Sequence, residues 1–319
     1  MLFRSRLSTN YYYEYRNSES LKNTDVIGVI TKDQQIQISI LFFRGGYIID
    51  KADLFAESKM HNIQFEQYQM LKQFYSLKSS VPKRIVIDNK FEYFDDLKVD
   101  LKNLELFDTK FEKISKGRKL DLIKLAKKNA EISLENNIQN EKRLAHILQK
   151  LKENLSLSSL PKRIECFDIS NTQGTNPVAS MVVFSNCEPD KSKCRKFKIN
   201  RKGPNDYEMM KEAIQRRLKR IDQDGWEKPD LILIDGGKGH LNKISSLIPK
   251  NINVASIAKP LKKENIDKIY LPNQKDSVEF NKDIEPLNIL INLRNEAHRF
   301  AITFHKSRRS KEMLGQLKT

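Results

Sequence analysis

The chain has 319 residues, which at roughly 100–200 residues per domain allows two domains or one large one, with a sizeable core either way. It carries 58 Lys and Arg against 41 Asp and Glu, a net charge of +17, and its 39% hydrophobic residues come in runs, which argues against a disordered chain. No run approaches the roughly 18 apolar residues of a membrane span, the N-terminal MLFRSRLSTNYYYEYR lacks the apolar core of a signal peptide, and Cys166, Cys187 and Cys194 are an odd number without metal-site spacing.

The expected setting is therefore a reducing cytoplasm, with no membrane partner, disulfide framework or zinc module. The charge reads in two ways. It is either a Lys-rich composition spread over solvated faces, or the footprint of a polyanionic partner such as nucleic acid, held through its phosphates.

Residues 1–23 show no period and read as a frayed N-terminus. From Asp25 to Asp50 the β-branched runs Val26–Ile30 and Ile36–Phe43 flank a polar turn, and Gly45-Gly46 precede Tyr47–Ile49. That pattern predicts three antiparallel strands. Ile63, Phe65, Tyr68, Leu71, Phe74 and Tyr75 recur at helical spacing over residues 62–77. Beyond Pro82, Arg84–Asp88 (RIVID) reads as a buried strand ending in an acid.

Residues 110–155 place Leu120, Ile123, Leu125, Ile132, Leu134, Leu144, Ile147, Leu148 and Leu151 at helical spacing, as one long helix or two broken near 136–140. With 14 Lys and Arg against 6 Asp and Glu between 110 and 163, this segment is expected to be a solvated basic connector over 110–160.

The second half repeats the first in outline. RIECFDIS (163–170) is a strand carrying Asp168, and Pro177–Phe184 with Cys194–Ile199 reads as a hairpin pair. Tyr207–Ile221 has the period of an amphipathic helix, and Pro229–Asp235 (PDLILID) is a buried strand ending in an acid before Gly236-Gly237. Strand, hairpin, helix and acid-terminated strand thus occur twice. The order predicts an α/β protein with a mixed sheet and flanking helices, the order of an RNase H-like fold.

Three acids and a histidine stand out in this half. Asp168 lies inside an apolar strand, where an acid needs a partner. Asp235 ends a strand, and ligands gather at strand ends in α/β sheets. Acids brought together repel one another unless a cation neutralises them, and hard carboxylate oxygens suit Mg²⁺ or Mn²⁺. Two such ions can activate water in phosphodiester hydrolysis, and a histidine such as His298 can complete a ligand set or move a proton. Blander readings stand beside these. Asp206, after Gly203-Pro204-Asn205, makes a good helix N-cap. Asp235 before two glycines is ordinary turn chemistry. His298, beside Phe300 and Ile302 on an apolar face, reads on pattern alone as a core histidine.

Several long motifs in fixed order add a resemblance. RIECFDIS, PVASMVVF, RKFKI, NDYEMM, PDLILIDGGKG, IAKP and LRNEAHRFAITFHKSRRSK resemble the C-terminal endonuclease region of UvrC, the nuclease subunit of the bacterial UvrABC excinuclease. The likeness is dense from about 160 to 311 and looser from about 24 to 160 (NTDVIGVI, LFFRGG, PKRIVID). It implies a divalent-metal-dependent endodeoxyribonuclease of nucleotide excision repair that cuts damaged double-stranded DNA on the 5′ side of a lesion, with UvrB as partner and UvrA upstream.

The resemblance carries the family's catalytic residues onto Asp168, Asp206, Asp235 and His298, with Mg²⁺ or Mn²⁺ on Asp168, Asp235 and His298. Lys259, Arg294 and Arg299 are candidates for DNA phosphate contacts, and they read equally as solvated charge. Asn171, His240 and Pro260 depart from the family's usual His, Gln and Gly. The GIY-YIG domain, the UvrB-binding hairpin and the helix-hairpin-helix motifs of a full-length member are not found, so the chain looks like a truncated member.

The expected organisation is a frayed stretch over 1–23, an inactive RNase H-like unit over 24–109, the basic connector over 110–160, an RNase H-like endonuclease domain over 161–305 and a basic tail over 306–319. The rival readings are a non-catalytic DNA- or UvrB-binding fragment and a recombination-type nuclease of the same fold.

Overall fold

The computed structural model describes residues 21–58, 62–78, 82–103, 109–170, 178–199, 205–260, 266–280 and 284–316, except for the side chains of Ser170 and 303–316. Residues 1–20 of the expected frayed end, Asn171 and the charges of the basic tail lie outside that set, whereas Leu21 is buried and Asn23 already begins the first strand, so the frayed stretch does not reach 23. The chain divides into two compact units, residues 1–140 and 141–319.

The first unit opens with an antiparallel meander of β1 (Asn23–Lys32), β2 (Gln35–Arg44) and β3 (Tyr47–Glu57). Both residues of the first turn, Asp33 and Gln34, take positive φ (47° and 64°), the geometry that matches the twist of a tight hairpin. Helix α1 (Ile63–Ser76) starts where the Asn62 side chain accepts the Phe65 N–H at 3.0 Å. Strand β4 (Arg84–Asp88) then lies parallel to β1, and after helix α2 (Phe94–Asn103), β5 (Lys110–Ile114) lies parallel to β4. The sheet order is β3-β2-β1-β4-β5.

Both faces are covered, which is why VIGVI and RIVID are apolar without alternation. Ile27, Ile38, Ile40, Ile85 and Ile87 pack with Leu71 and Phe74 of α1 and Leu97 of α2. On the other face Val26, Leu41, Phe43 and Val86 pack against Leu122, Ile123 and Ala126 of helix α3 (Arg118–Asn154). The expected solvated connector is thus corrected. Residues 110–114 are an edge strand, and α3 is one unbroken helix whose apolar stripe forms a layer of the core.

Gly28 lets α3 reach the sheet. A Cβ there would lie 2.2 Å from the carbonyl carbon of Ala126 and 2.3 Å from the Lys127 nitrogen. Those are backbone atoms, which cannot rotate aside. Gly28→Ala is expected to cost roughly 3 kcal/mol or more as overpacking. Thermal denaturation checks it, and an unchanged Tm would mean that α3 is not seated on β1.

The second unit repeats the order. Strands β6 (Arg163–Ser170) and β7 (Val178–Ser185) are antiparallel, and β7 pairs with the short β8 (Glu188–Pro189) and β9 (Arg195–Lys198). After α4 (Asp206–Leu218), β10 (Leu231–Asp235) lies parallel to β6. After α5 (Lys238–Ser245), β11 (Asn253–Ala258) lies parallel to β10. Strand β12 (Lys268–Tyr270) closes that edge antiparallel to β11, ahead of α6 (Glu285–Gln316).

Phe167, Met181, Ile232 and Ile234 pack with Met209 and Ile214 of α4 and Leu241 of α5. Cys166, Val182, Leu231 and Leu233 pack with Leu148 and Leu151 of α3 and Leu290 and Leu293 of α6. A meander on one side of the first strand and two parallel strands on the other, in both units, is the RNase H-like architecture.

Candidate active site

Asp168 and Asp235 sit on neighbouring parallel strands. The register pairs Phe167 with Ile234, so one step further along both strands the two carboxylates stand side by side. By alternation they face the same side as Cys166 and Leu233, toward α6. Asp168 is 7% exposed, and its Oδ2 is buried without a hydrogen bond. Burial raises its carboxyl above the usual range, opposed by the neighbouring His298 imidazole and by the Lys259 ammonium. Asp235 is pushed up to about 6, first by burial and then by the Asp168 charge, against the pull of Arg294, Lys259 and His298. Burial raises both carboxyls and the Asp168 charge raises Asp235 further, so a cation between them is favoured.

His298 projects from α6 with its Nδ1 3.5 Å from Asp168 Oδ2, and its side chain is 52% exposed, so it is not a core histidine. Helix α6 is pinned over this part of the sheet by the Ser180 hydroxyl, which donates to the Ala297 carbonyl at 3.1 Å. Lys259 follows the last residue of β11 and is exposed.

Arg294 is placed otherwise than expected of a phosphate contact. It is buried, its Nη1 is 2.5 Å from Asp267 Oδ1, and its Nη2 donates to Asn295 at 2.9 Å. Arg299 is exposed and holds Glu296 through Nε at 2.8 Å and Nη2 at 2.5 Å.

Asp206 is not among the leading influences on Asp168 or Asp235. It opens α4, but the cap is Asn205, whose side chain accepts the Glu208 N–H at 3.4 Å. The group that Asp206 does act on is His240, where burial lowers the imidazole, Asp206 raises it and Lys243 lowers it.

Nothing in the local pattern marks His240 as a structural partner of the strand end. Its ring stacks on Tyr207 with centroids 4.2 Å apart, and a Cβ on Gly236 would come within 2.8 Å of that ring. Gly236 also has φ +153° and donates its N–H to the Ile257 carbonyl at 2.9 Å, so only glycine fits the turn after Asp235. Cys166, wholly buried beside the acids, has its thiol pushed well above the usual range, which makes it inert packing.

Among the described residues no three His, Cys, Asp or Glu side chains are gathered closely enough to form a ready metal cage. The carboxylate pair nevertheless fits a hard divalent cation. Asp168 Oδ2 is a buried acceptor without a hydrogen bond, Asp235 stays raised in spite of Arg294, Lys259 and His298, and Mg²⁺ commonly takes one or two carboxylates with waters completing its shell.

A mixed sheet that brings two acids to the ends of its central parallel strands, under a helix carrying a histidine, defines an α/β protein of the RNase H-like class. Residues 152–302 match the UvrC RNase H endonuclease domain, and residues 23–137 match the UvrC ribonuclease H-like domain. UvrABC system protein C of Methanosphaera stadtmanae is 37% identical over 298 residues, covering 91% of this chain and 49% of that protein. That of Desulfatibacillum aliphaticivorans is 35% identical over 300 residues, covering 90% and 49%.

The chain belongs to the UvrC family. It spans about half the length of the curated relatives it matches. Among solved structures, a Ciona intestinalis endonuclease V in complex with DNA is 18% identical over 49% of this chain and 68% of that one, at a TM-score of 0.27. The catalytic domain of human endonuclease V is 18% identical over 42% and 61%, at 0.26. Likenesses of that size carry no weight for fold or function. No described helix is long and apolar enough to cross a membrane.

Proposed function

We propose that the second unit is a divalent-metal-dependent DNA endonuclease of nucleotide excision repair, making the 5′ incision at a lesion together with UvrB, and UvrA upstream, in the cytoplasm. The observation that carries this reading is the pair of buried carboxylates on β6 and β10, with Asp235 pushed up to about 6 beside Asp168. Asp168 and Asp235 would hold the cation, with His298 as the third candidate. Bound Mg²⁺ or Mn²⁺ supplies an activated water and charge for the leaving oxygen.

The chain's own residues do the rest. His298 presents an exposed imidazole whose Nδ1 can hold or pass a proton beside Asp168. Lys259, acting on both carboxylates from the end of β11, offsets their repulsion of an incoming phosphate. Arg294 anchors α6 through Asp267 and tempers the charge on Asp235, and Arg299 remains a candidate phosphate contact from the exposed face. Asp206, next to Tyr207 of the Tyr207–His240 stack, acts on the His240 imidazole and is kept as a supporting acid. Incision of a lesion-bearing duplex with UvrA and UvrB, followed by mapping of the cut, tests the reading. Cuts only on the 3′ side, or none, would refute it.

The rival is a non-catalytic DNA- or UvrB-binding module, favoured by the lack of a ready three-residue cage among the described residues. Nicking of supercoiled plasmid with Mn²⁺ by the parent, and not by Asp168→Ala, decides against it. A recombination-type nuclease would instead prefer branched DNA.

A pH dependence follows from Asp235. Its folded carboxyl binds a proton more tightly than the unfolded one, so it contributes stability below its unfolded value that is lost as pH rises through about 6. Without metal, stability should therefore fall from about pH 4 to pH 7. Added Mg²⁺ or Mn²⁺ should restore it above about pH 6 and lose its effect below, because ion and proton compete for the same oxygens. Thermal shift assays with and without the ion check this. A metal shift that is flat with pH would separate Asp235 from the ion.

A further inference from the structure

The first unit has a cleft of about 210 Å³ at the end of β4, where Ile27, Val29 and Ile87 of the α1 face meet Asp88 and Lys127. The register of β1 on β4 pairs Val26 with Val86, and two steps on it sets Gly28 opposite Asp88. In the second unit the same two positions are Asp168 and Asp235. One acid is therefore missing, and Asp25, the acid that β1 does carry, is tied up elsewhere by Arg44 at 2.9 Å.

The acid that remains is neutralised within the chain. Lys127 of α3 bonds Asp88 Oδ2 through its ammonium, and the Lys90 N–H donates to Asp88 Oδ1 at 3.0 Å. The ionised side chains of the cleft are thus Asp88, Lys90 and Lys127, a positive balance where the second unit has two carboxylates. The Lys90 ammonium is exposed at its wall. The remaining lining is mixed, with Ile27, Val29, Ile87 and Phe91 beside neutral polar groups. The Gln67 amide is held by Thr31 Oγ1 at 2.9 Å, and Gln64 has a buried amide oxygen with no hydrogen bond. A volume below the roughly 300 Å³ of a typical small-molecule site suits a phosphate group, and not a whole nucleotide.

We propose that this cleft grips a phosphodiester of the DNA substrate without cutting it, with Lys127 as a built-in cation beside Asp88 and Lys90 as the phosphate contact. The physical reason is substitution of charge. Lys127 cancels the charge of Asp88, which leaves the cleft the net positive charge of Lys90 for a phosphate, and an ammonium cannot carry an activated water as a metal ion can. With a single carboxylate, itself engaged by a lysine, the unit holds DNA and leaves hydrolysis to the other. This rests on the reading of the chain as a DNA-acting protein.

The test is anisotropy of a fluorescein-labelled duplex on the full 319-residue chain in EDTA, where no incision occurs. Lys90→Glu should weaken binding about ten-fold at low salt and flatten the dependence of affinity on salt. Asp88→Asn, which removes the one negative charge, should tighten binding. The double variant Asp88→Asn/Lys127→Met, which removes one charge of each sign, should return it to about the parent's affinity. Far-UV circular dichroism confirms that each variant is folded.

The proposal is overturned if Lys90→Glu leaves affinity and salt slope unchanged, if Asp88→Asn weakens binding, or if Asp88→Asn loses incision in Mn²⁺ as completely as Asp235→Asn. It is also overturned, in favour of a free anion, if inorganic phosphate protects the chain against heat through Lys90 while DNA affinity ignores that residue. Incision is scored separately on the same parent protein. A chain that binds DNA through Lys90 but never cuts refutes the nuclease reading alone. One that cuts regardless of Lys90 refutes the cleft alone. A parent that binds no DNA refutes both.

Discussion

Asp168→Asn should reduce phosphodiester cleavage by roughly 10³-fold or more while leaving DNA affinity in EDTA within about two-fold. An ionised carboxylate repels phosphate and does not hold it. The oxygen of Asp168 is buried, unbonded and beside a second carboxylate, so its loss removes a holder of positive charge and not a holder of DNA. The substitution keeps the shape, so packing against α6 survives. It has a second consequence that a purely structural residue would not have. With the Asp168 charge gone, one of the two causes that raise Asp235 disappears, and that carboxyl should titrate nearer its ordinary range. The loss of metal-free stability between about pH 4 and pH 7 should then become shallower. Cleavage assays and pH-dependent denaturation of the same variant check both. Retained cleavage would remove Asp168 from the chemistry, and an unchanged pH profile would separate the two acids.

The largest effect on stability is expected at Arg217. On α4 it lies at 0% exposure and forks onto Glu165 of β6, Nε to Oε2 and Nη2 to Oε1, each at 2.8 Å. It also donates to the Glu227 carbonyl at 2.5 Å, and its guanidinium stands 5.4 Å from the centre of the Trp226 ring. Glu165 is equally buried and has one further partner, Arg163 Nε at 2.9 Å. Arg217→Met leaves the buried Glu165 with Arg163 alone and takes away its two-fold partner, which costs about 3–5 kcal/mol. For a unit of this size that is roughly 6–20 °C in Tm. The pair as a whole need not be stabilising, because both charges were desolvated to make it. Glu165→Leu/Arg217→Met should therefore recover most of the loss. Failure of the double variant to recover would show that Arg217 acts through Trp226 and the Glu227 carbonyl instead. Because Glu165 lies three residues before Asp168 on the same strand, this pair also fixes the strand that carries the acid.

The parts of the fold that can be read in advance are those whose information is local. The apolar run of Val26–Ile30, the turn at Asp33-Gln34, the helical period of residues 63–75 and RIVID with its terminal acid each specify their own backbone, and each becomes the expected element. Residues 110–114 read instead as the start of a helix, because KFEKI carries too few apolar positions to set a period of its own. Hydrogen bonds to β4, not the side chains, make it a strand. The edge strands β8 and β12, two and three residues long, escape notice for the same cause.

At the site, residue type points to the acids and the resemblance points to the histidine, but pattern alone does not choose between a core and an exposed histidine. The half-exposed His298 ring shows that the apolar stripe of α6 runs beside it, along Leu290, Leu293 and Ala297.

By itself, then, the sequence determined the repeated order of strands, hairpin and helix, the acids at strand ends and the excess of positive charge, because periodicity, turn residues and composition act within a few residues of themselves. Only the tertiary structure decided which acids meet. Parallel pairing of β6 with β10, across more than sixty intervening residues, sets Asp168 beside Asp235, and the same pairing of β1 with β4 sets Gly28 beside Asp88. It also decided that Arg294 faces Asp267 inside the unit, that Asp206 belongs with His240, and that Lys127 closes on Asp88. Contacts of that range depend on sheet register and helix seating, and a pairwise meeting of distant side chains leaves no mark on the local pattern of either.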